Sequence, residues 1–266
     1  MIKVVVAGST GRMGRTLLET VLGSADMSLH AALEQRGHAA IGRNAAELVG
    51  SKSAVSISGD PQAAVPGADV LIDFTRPEAT LDHLRICGAH GVKMVIGTTG
   101  FSAEQRAAVA DGARHVAICM APNMSVGTNL VFKLIAIAAP VLREGYDIEI
   151  IEAHHRHKID APSGTALRMG EIVAQSLGRD LKQCAVYGRE GVTGERAATT
   201  IGFSAVRGGD IVGDHTVLFA GTGERVEISV KSASRATYAL GAMRAARWLM
   251  AKPSGLFDMQ DVLGLT

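Results

Sequence analysis

Short apolar runs alternate with helical patterns up to about residue 122. The runs predict strands at residues 2–7, 29–33, 70–74, 92–96 and 116–120. Apolar spacing typical of helices covers residues 11–22 and 77–90, and Ser102 with Gln105 forms a capping box that begins another helix. Strands that alternate with helices in this way predict a doubly wound parallel sheet with helices on both faces.

The pattern changes after this region. Residues 129–142 predict a long, largely buried helix, and strand-like runs follow at 147–152, 199–206, 215–219 and 225–230 with one clear helix, 165–177, among them. Strands without interleaved helices are typical of an antiparallel or mixed sheet. We therefore expect an α+β domain at residues 127–235. The helical stretch 237–250 would return to the first domain, which we place at residues 1–126 and 236–266.

Composition and charge exclude several classes of protein. The 266 residues are 47% hydrophobic and 20% charged, which is enough to build ordinary globular cores. The formal net charge of +1 does not favour a nucleic-acid partner. The longest apolar run is interrupted by Lys133 and Pro140, so we expect no membrane span. The three scattered cysteines have no metal or redox spacing and indicate reduced thiols in a cytoplasmic protein.

A glycine-rich loop directly follows the first strand. Gly8, Gly11 and Gly14 have G-x-x-G-x-x-G spacing, a variant of the dinucleotide fingerprint. Such a loop lets backbone N–H groups and a helix N-terminus reach a pyrophosphate. The first domain is therefore predicted to be of Rossmann type, although a glycine-rich turn that binds nothing remains an alternative.

Glu34 strengthens the cofactor prediction. It lies at the end of the second strand, 20 residues after Gly14, where a carboxylate accepts hydrogen bonds from a ribose diol. Glu34 alone favours NADH, whereas Arg36 could pair with the 2′-phosphate of NADPH, so both cofactors stay open. The loops at residues 97–100 and 121–124 follow strands of the same sheet and are placed to line the nicotinamide, unless they are ordinary turns.

A cluster of histidines with a lysine ends the strand predicted before residue 153. If the chain stays extended, His154 and Lys158 point the same way, with His155 and His157 opposite. Histidine donates protons near neutral pH, and lysine binds a carboxylate or donates a proton. A solvated basic turn is the alternative. The spacing does not favour a metal site, so none is expected.

A second polar segment follows this cluster. The hydroxyls of Ser163 and Thr165 and the N–H groups of the helix that begins there predict an anion site. Together, the two segments suit a substrate with carboxylates beside an atom that accepts hydride and a proton.

Motifs along the whole chain resemble the dihydrodipicolinate reductase family, also called 4-hydroxy-tetrahydrodipicolinate reductases. They are GSTGRMG at 8–14, DFTRP at 73–77, GTTGF at 97–101, EAHHRHK at 152–158, APSGTA at 161–166, GREG at 188–191 and GLFDM at 255–259. The resemblance implies reduction of a cyclic imine dicarboxylate with NADH or NADPH in the lysine and diaminopimelate pathway. It also implies a second domain that binds substrate and assembles a homotetramer.

The resemblance also implies roles for individual residues. His154 matches the family's general acid/base and Lys158 its proton donor. Substrate contacts are expected at His155, Ser163, Gly164, Thr165 and Thr99. Cofactor contacts are expected at Gly8, Ser9, Thr10, Gly11, Arg12, Met13, Glu34, Gln35, Arg36, Gly97, Thr98, Thr99, Ala121, Pro122, Asn123 and Met124.

One position departs from the family pattern. Many members carry arginine directly after the ribose-binding glutamate, and here that residue is Gln35. Either Arg36 substitutes for the missing arginine, or the affinity for NADPH is reduced. Two other functions stay open from the sequence: another two-domain NAD(P) amino-acid or semialdehyde dehydrogenase, and a non-catalytic NAD(P)H sensor.

Overall fold

The computed structural model describes residues 1–265, which form two compact units. Unit 1 consists of Met1–Val126 and Arg235–Thr266, and unit 2 of Gly127–Ser234. In chain order the strands are β1 (Ile2–Ala7), β2 (Met27–Leu33), β3 (Ile57–Ser58), β4 (Val70–Asp73), β5 (Lys93–Ile96), β6 (Ala117–Met120), β7 (Tyr146–His154), β8 (Ala185–Tyr187), β9 (Ile201–Arg207), β10 (Gly213–Gly221), β11 (Arg225–Ser232) and β12 (Gly255–Phe257).

The helices follow the same order. They are α1 (Arg12–Leu22), α2 (Pro61–Ala64), α3 (Pro77–His90), α4 (Ala103–Gly112), α5 (Val126–Val141), α6 (Gly164–Ser176), α7 (Leu181–Cys184), α8 (Ala236–Leu249) and α9 (Met259–Leu263), with a 3₁₀ helix at Ala45–Val49. Sequence signals explain several N-termini. Pro77 occupies the first turn of α3, and Ser102 with Gln105 forms the predicted capping box of α4.

Unit 1 contains a parallel sheet with the strand order β12-β6-β5-β4-β1-β2-β3. Alternate residues of each central strand face opposite sides. Val4 and Val6 of β1 belong to one buried core, together with α1 and α8, whereas Val5 and Ala7 belong to another, together with α3 and α4. The order reverses between β1 and β4, and open α/β sheets bind ligands outside the carboxyl ends of such strands.

Unit 2 contains a mixed sheet with the order β11-β10-β7-β9-β8. Strand β10 runs antiparallel to both β7 and β11, while β9 runs parallel to β7 and β8. One face of the sheet packs on the apolar sides of α5 and α6, with Phe132, Met169, Phe203 and Phe219 buried between the layers. The opposite face carries exposed apolar side chains, among them Ile151 (39% exposed) and Val206 (51%).

The fold class predicted from the sequence is confirmed, with shifts at the ends of elements. Helix α5 begins at Val126 rather than at residue 129, and β7 continues to His154 rather than ending at residue 152. The short elements β3, β8, β12, α2, α7 and α9 had no predicted counterpart. None of the helices in the described residues is long and apolar enough to cross a membrane.

Candidate active site

The glycine-rich loop is shaped by close backbone contacts. Gly8 has φ +66°, a left-handed conformation that favours glycine, and its carbonyl oxygen accepts a hydrogen bond from the Gly11 N–H at 3.0 Å. A methyl group at Gly14 would overlap this same carbonyl. The three glycines therefore bring the start of α1 against the loop, and the N–H groups of the first helical turn point toward the carboxyl edge of the sheet.

Glu34 is held in place by the glycine-rich loop. One oxygen of its carboxylate accepts hydrogen bonds from the Thr10 N–H (3.0 Å) and the Thr10 hydroxyl (2.7 Å), and the other accepts one from the Gln35 N–H (2.9 Å). Burial alone would raise the pKa of Glu34, but these hydrogen bonds outweigh it and leave the pKa below its ordinary value. The carboxylate is thus ionised and ordered beside the loop, whereas Gln35 and Arg36 are exposed.

A second carboxylate lies at the end of β4. Asp73 is fully buried and accepts hydrogen bonds from the N–H (2.8 Å) and hydroxyl (2.6 Å) of Thr75, and from His83 Nδ1 at 2.7 Å. The Thr98 hydroxyl lies 3.3 Å from the same carboxylate, and the Thr75 methyl group packs beside Gly8. Asp73 therefore connects the loops that follow β1, β4 and β5.

The two remaining loops of unit 1 are also tightly packed. A methyl group at Gly97 would overlap the ring of Phe74, and the N–H of Ala121 donates to the Ile96 carbonyl at 3.1 Å. A methyl group at Gly241 of α8 would overlap the carbonyl oxygen of Met124. The C-terminal helix thus supports the loop that contains Ala121, Pro122, Asn123 and Met124.

The residues of unit 1 fit a dinucleotide. The close packing that Gly8 and Gly14 allow places the N-terminus of α1 directly after the loop, where helix N–H groups bind a pyrophosphate, and the ordered Glu34 carboxylate matches a ribose diol. Ser9 is buried, and within residues 1–265 its hydroxyl has no hydrogen-bond partner.

His154 is the last residue of β7, and its imidazole is held from one side. Nδ1 donates a hydrogen bond to Glu152 Oε2 at 2.6 Å, and the ring contacts the His215 ring edge-on with centroids 5.0 Å apart. A Cβ atom at Gly213 would lie 3.1 Å from His154 Nε2, so the glycine leaves more room beside this nitrogen than a larger residue would. Nε2 is the ring nitrogen that Glu152 does not engage.

Lys158 does not extend the strand. The chain turns after His154, and the N–H of Lys158 donates to the His155 carbonyl at 3.0 Å. The condition under which His154 and Lys158 would point the same way is therefore not met, because the local turn bond replaces the sheet ladder. Lys158 Nζ instead forms an ion pair with both oxygens of Asp160, at 2.8 and 2.9 Å. The rings of His155 and His157 lie 6.2 Å apart in the same turn.

Ser163 caps helix α6 and contacts a second buried histidine. Its hydroxyl accepts a hydrogen bond from the Ala166 N–H at 3.2 Å and is hydrogen-bonded to His215 Nε2 at 2.9 Å. Burial lowers the pKa of His215 to about 4, helped by the neighbouring charges of His154 and Lys158. His215 is therefore neutral near pH 7, and α6 begins with Gly164 and Thr165 beside it.

The structure brings the predicted site residues together in two clusters. In unit 1 the glycine-rich loop, Glu34 and the loops after β5 and β6 all lie at the carboxyl ends of parallel strands. In unit 2, His154 and the start of α6 are joined through Glu152. No role was predicted from the sequence for Glu152, Arg207 or His215. Glu152 could have been found, since it lies two residues before His154 on the same strand face.

The structure bears on metal binding and on thiol chemistry. Among the described residues, no group of three or more His, Cys, Asp or Glu side chains could hold a metal ion. Cys87, Cys119 and Cys184 are free thiols, and burial raises the pKa of both Cys87 and Cys119 to about 12. These two thiols are therefore unreactive at neutral pH.

Comparisons with known proteins identify close relatives. Residues 2–124 match the family model "Dihydrodipicolinate reductase, N-terminus", and residues 127–263 match "Dihydrodipicolinate reductase, C-terminus". The chain is 61% identical to a 4-hydroxy-tetrahydrodipicolinate reductase of Nitrosomonas europaea over 99% of this chain and 98% of the relative. It is 63% identical to the enzyme of the same name from Chromobacterium violaceum over 98% of each chain.

A solved structure agrees with these relatives. The dipicolinate-bound dihydrodipicolinate reductase from Paenisporosarcina sp. TG-14 is similar to this chain with a TM-score of 0.77 and 26% identity, over 98% of both chains. Because the match covers 98% of this chain, the structural similarity extends through both units. Dipicolinate is a planar aromatic dicarboxylate.

Proposed function

The chain belongs to the dihydrodipicolinate reductase family. From this premise we propose which residues bind the cofactor, which bind the substrate and which supply the proton. The protein is an NAD(P)H-dependent oxidoreductase that reduces 4-hydroxy-tetrahydrodipicolinate to tetrahydrodipicolinate in lysine and diaminopimelate biosynthesis. The chain is 61% and 63% identical to enzymes of this name over nearly its full length. This similarity favours the reductase over the two alternatives from the sequence, another two-domain dehydrogenase and a non-catalytic NAD(P)H sensor.

Unit 1 binds the dinucleotide, which supplies the hydride when it is bound. We assign the pyrophosphate to the backbone of Gly8, Ser9, Thr10, Gly11, Arg12 and Met13, and the adenosine ribose to Glu34. Gln35 and Arg36 face the position of a 2′-phosphate. The loops containing Gly97, Thr98, Thr99, Ala121, Pro122, Asn123 and Met124 line the nicotinamide. The ordered Glu34 carboxylate is the observation that supports the ribose assignment.

His154 and Lys158 supply the proton in this proposal. Gly213 leaves room beside Nε2 of His154, and the Nδ1–H of this ring is held by a carboxylate that stabilises the imidazolium. Lys158 carries its ammonium group on a turn, bound to a carboxylate that is itself half exposed. An anionic substrate can compete for this ammonium group because its present partner is solvated.

We propose that Ser163, Gly164 and Thr165 hold a carboxylate of the substrate at the N-terminus of α6. Helix N-termini bind anions through their N–H groups, and α6 has 13 residues. His155 and Thr99 are the other proposed substrate contacts. The dipicolinate in the related structure is a dicarboxylate, which supports a substrate of this class.

We further propose that the protein acts in the cytoplasm as a homotetramer assembled through unit 2. The free thiols and the absence of a membrane-spanning helix in the described residues are compatible with that location. The open face of the unit 2 sheet, with Ile151 opposite Thr216, carries the apolar surface that an oligomer would bury. Sedimentation velocity tests this, and a monomer at micromolar concentration would contradict it.

A coupled assay tests the reaction and the role of His154 together. Pyruvate, aspartate semialdehyde and the upstream synthase generate the unstable substrate in place while NADH or NADPH absorbance is followed. Oxidation should require both the synthase and this protein. His154→Ala should lower turnover by roughly 10²- to 10⁴-fold with unchanged NADH affinity, since the residue acts on the proton.

The control is His115→Ala, which changes an exposed histidine in unit 1 and should leave turnover unchanged. If His154→Ala turns over at the wild-type rate, His154 is not the proton donor. If the folded wild-type protein binds NADH but oxidises none in the presence of the synthase, the assigned reaction fails.

A further inference from the structure

The Glu152 carboxylate is the most heavily bonded acidic group of unit 2. It is 1% exposed and accepts four hydrogen bonds from three residues. Arg207 donates to both oxygens, at 2.7 and 2.8 Å, His154 Nδ1 donates to Oε2, and the N–H of Ser163 donates to Oε1 at 3.1 Å. A carboxylate has about four lone-pair positions, so its accepting capacity is used completely.

The strand register explains why these groups meet. On β7, Glu152 and His154 lie on the same face, two residues apart. Arg207 is the direct partner of His154 on parallel strand β9, and His215 is the direct partner of Glu152 on antiparallel strand β10. All four side chains therefore share the sheet face on which helix α6 packs.

Burial and charge show that this carboxylate is ionised. Burial alone would raise the pKa of Glu152, but the hydrogen bonds from Arg207 and His154 outweigh it and leave the pKa below its ordinary value. The two-pronged contact of a guanidinium with a carboxylate fixes the orientation of the carboxylate plane. A further Arg207 bond, from Nη2 to the Asp160 carbonyl at 2.7 Å, connects the segment before Ser163 to the same guanidinium group.

We propose that Glu152, oriented by Arg207, is a positioning residue that keeps a proton on His154 Nδ1, so that Nε2 is the nitrogen that takes up and delivers the catalytic proton, and that it sets the distance between His154 and the Ser163 turn. This inference rests on the proposed role of His154. The same carboxylate contacts the proton donor and the first N–H of the proposed carboxylate-binding turn. It thereby couples the two parts of the substrate site.

Substitution by glutamine tests the role of the charge without changing the shape. In Glu152→Gln the amide NH₂ must replace one of the two oxygens, and each oxygen faces two N–H donors. If the NH₂ faces His154, Nδ1 must accept a hydrogen bond instead of donating one. The imidazolium that delivers the proton from Nε2 then loses its carboxylate partner. If the NH₂ faces Ser163, the turn loses its anchor. In either arrangement the NH₂ also faces an N–H donor of Arg207, so one hydrogen bond from the guanidinium is lost.

The experiment is a double-mutant cycle in the coupled assay. We expect Glu152→Gln to lower kcat by at least about tenfold and by up to about 10⁴-fold, the loss found when an amide replaces the carboxylate behind a catalytic histidine. In a His154→Ala background the same substitution should change kcat by less than about twofold, because the proton-transfer group through which Glu152 affects kcat is gone, while loss of the Ser163 anchor would raise KM instead. A purely structural role would give the same loss in both backgrounds. Glu171→Gln, an exposed glutamate on α6, is the matched control.

Each outcome decides the inference. Equal losses in the two backgrounds, or no loss in either, would overturn the positioning role while leaving the proposed role of His154 intact. Wild-type turnover of His154→Ala alone would overturn both. If Glu152→Gln fails to fold by circular dichroism and NADH binding, Arg207→Lys takes its place in the same cycle. That variant keeps the positive charge, loses the two-pronged contact, and should also lower kcat only when His154 is present.

Discussion

Glu34 accepts two hydrogen bonds from Thr10, one from its N–H and one from its hydroxyl, so the end of β2 is bonded directly to the glycine-rich loop after β1. This contact orders the carboxylate before any ribose binds. In the proposed cofactor assignment, discrimination between NADH and NADPH depends on the exposed residues that follow, Gln35 and Arg36. The Gln35 N–H is already used by Glu34, and its side chain is exposed.

The first prediction concerns cofactor preference. Gln35→Arg should raise the ratio of kcat/KM for NADPH to that for NADH by roughly tenfold, because a guanidinium forms charge-assisted bonds with a 2′-phosphate. The ratio is measured with both cofactors in the coupled assay. Arg36→Gln is the matched variant and should lower the same ratio. An unchanged ratio in Gln35→Arg, with a large fall in Arg36→Gln, would mean that Arg36 already binds the phosphate.

Much of the fold could be predicted because, in unit 1, the spacing of apolar residues agrees with the glycines and prolines at the ends of elements. The run at Ile2–Ala7 and the helix at Pro77–His90 have the predicted bounds, since a glycine ends the first and Pro77 begins the second. The short strands β3 and β12 had no periodic signal, because two or three residues are too few to show alternation. They are defined by pairing with β2 and β6, which is a tertiary property.

The candidate site was only partly accessible to the same reasoning. His154 and Ser163 stand out in the sequence because their chemistry and spacing are local. Arg207 lies 55 residues from Glu152, and His215 lies 52 residues from Ser163. Their contribution follows from the register of β7 with β9 and β10, which no pattern in the sequence specifies. Whether the chain stays extended or turns after His154 was left open by the sequence, because alternation along a strand does not show where the strand ends.

The second prediction uses two helical glycines with opposite surroundings. Gly241→Ala on α8 should destabilise the protein and weaken NADH binding, because the new methyl group would overlap the Met124 carbonyl of a cofactor loop. Gly88→Ala on α3 is the control, since a methyl group there meets nothing within 4 Å. It should stabilise the protein by about 0.5–1 kcal/mol through helix propensity. Thermal melts and NADH titration of both variants give the comparison, and equal behaviour would refute the role of Gly241.

The third prediction concerns Lys158. Lys158→Ala should lower kcat and raise KM together, with a loss in kcat/KM of roughly 10²-fold or more, because the ammonium group both contacts the anionic substrate and supplies a proton. Lys182→Ala, an exposed lysine on α7, is the matched control. Wild-type kcat and KM in Lys158→Ala would contradict a catalytic role and favour the alternative that this segment is only a solvated basic turn.

The fourth prediction concerns the pH dependence of stability through His215. Its pKa is about 4 in the folded protein, mainly because it is buried, against an ordinary value of 6.5. Between these pH values the unfolded chain binds more protons at this residue than the folded one. The free energy of unfolding should therefore rise with pH across this window and fall as pH decreases from 6.5 toward 4. A shift of this size corresponds to about 3 kcal/mol at most.

His215→Gln isolates this contribution, because glutamine can bond to the Ser163 hydroxyl but does not titrate. We expect the wild-type protein to lose more free energy of unfolding than the variant when the pH is lowered from 7 to 4. Urea unfolding at several pH values measures the difference, and His115→Gln serves as the exposed control, with a wild-type slope. Parallel pH profiles for wild type and His215→Gln would show that His215 is not held neutral by its surroundings. His154 would then have a charged neighbour in mildly acidic solution.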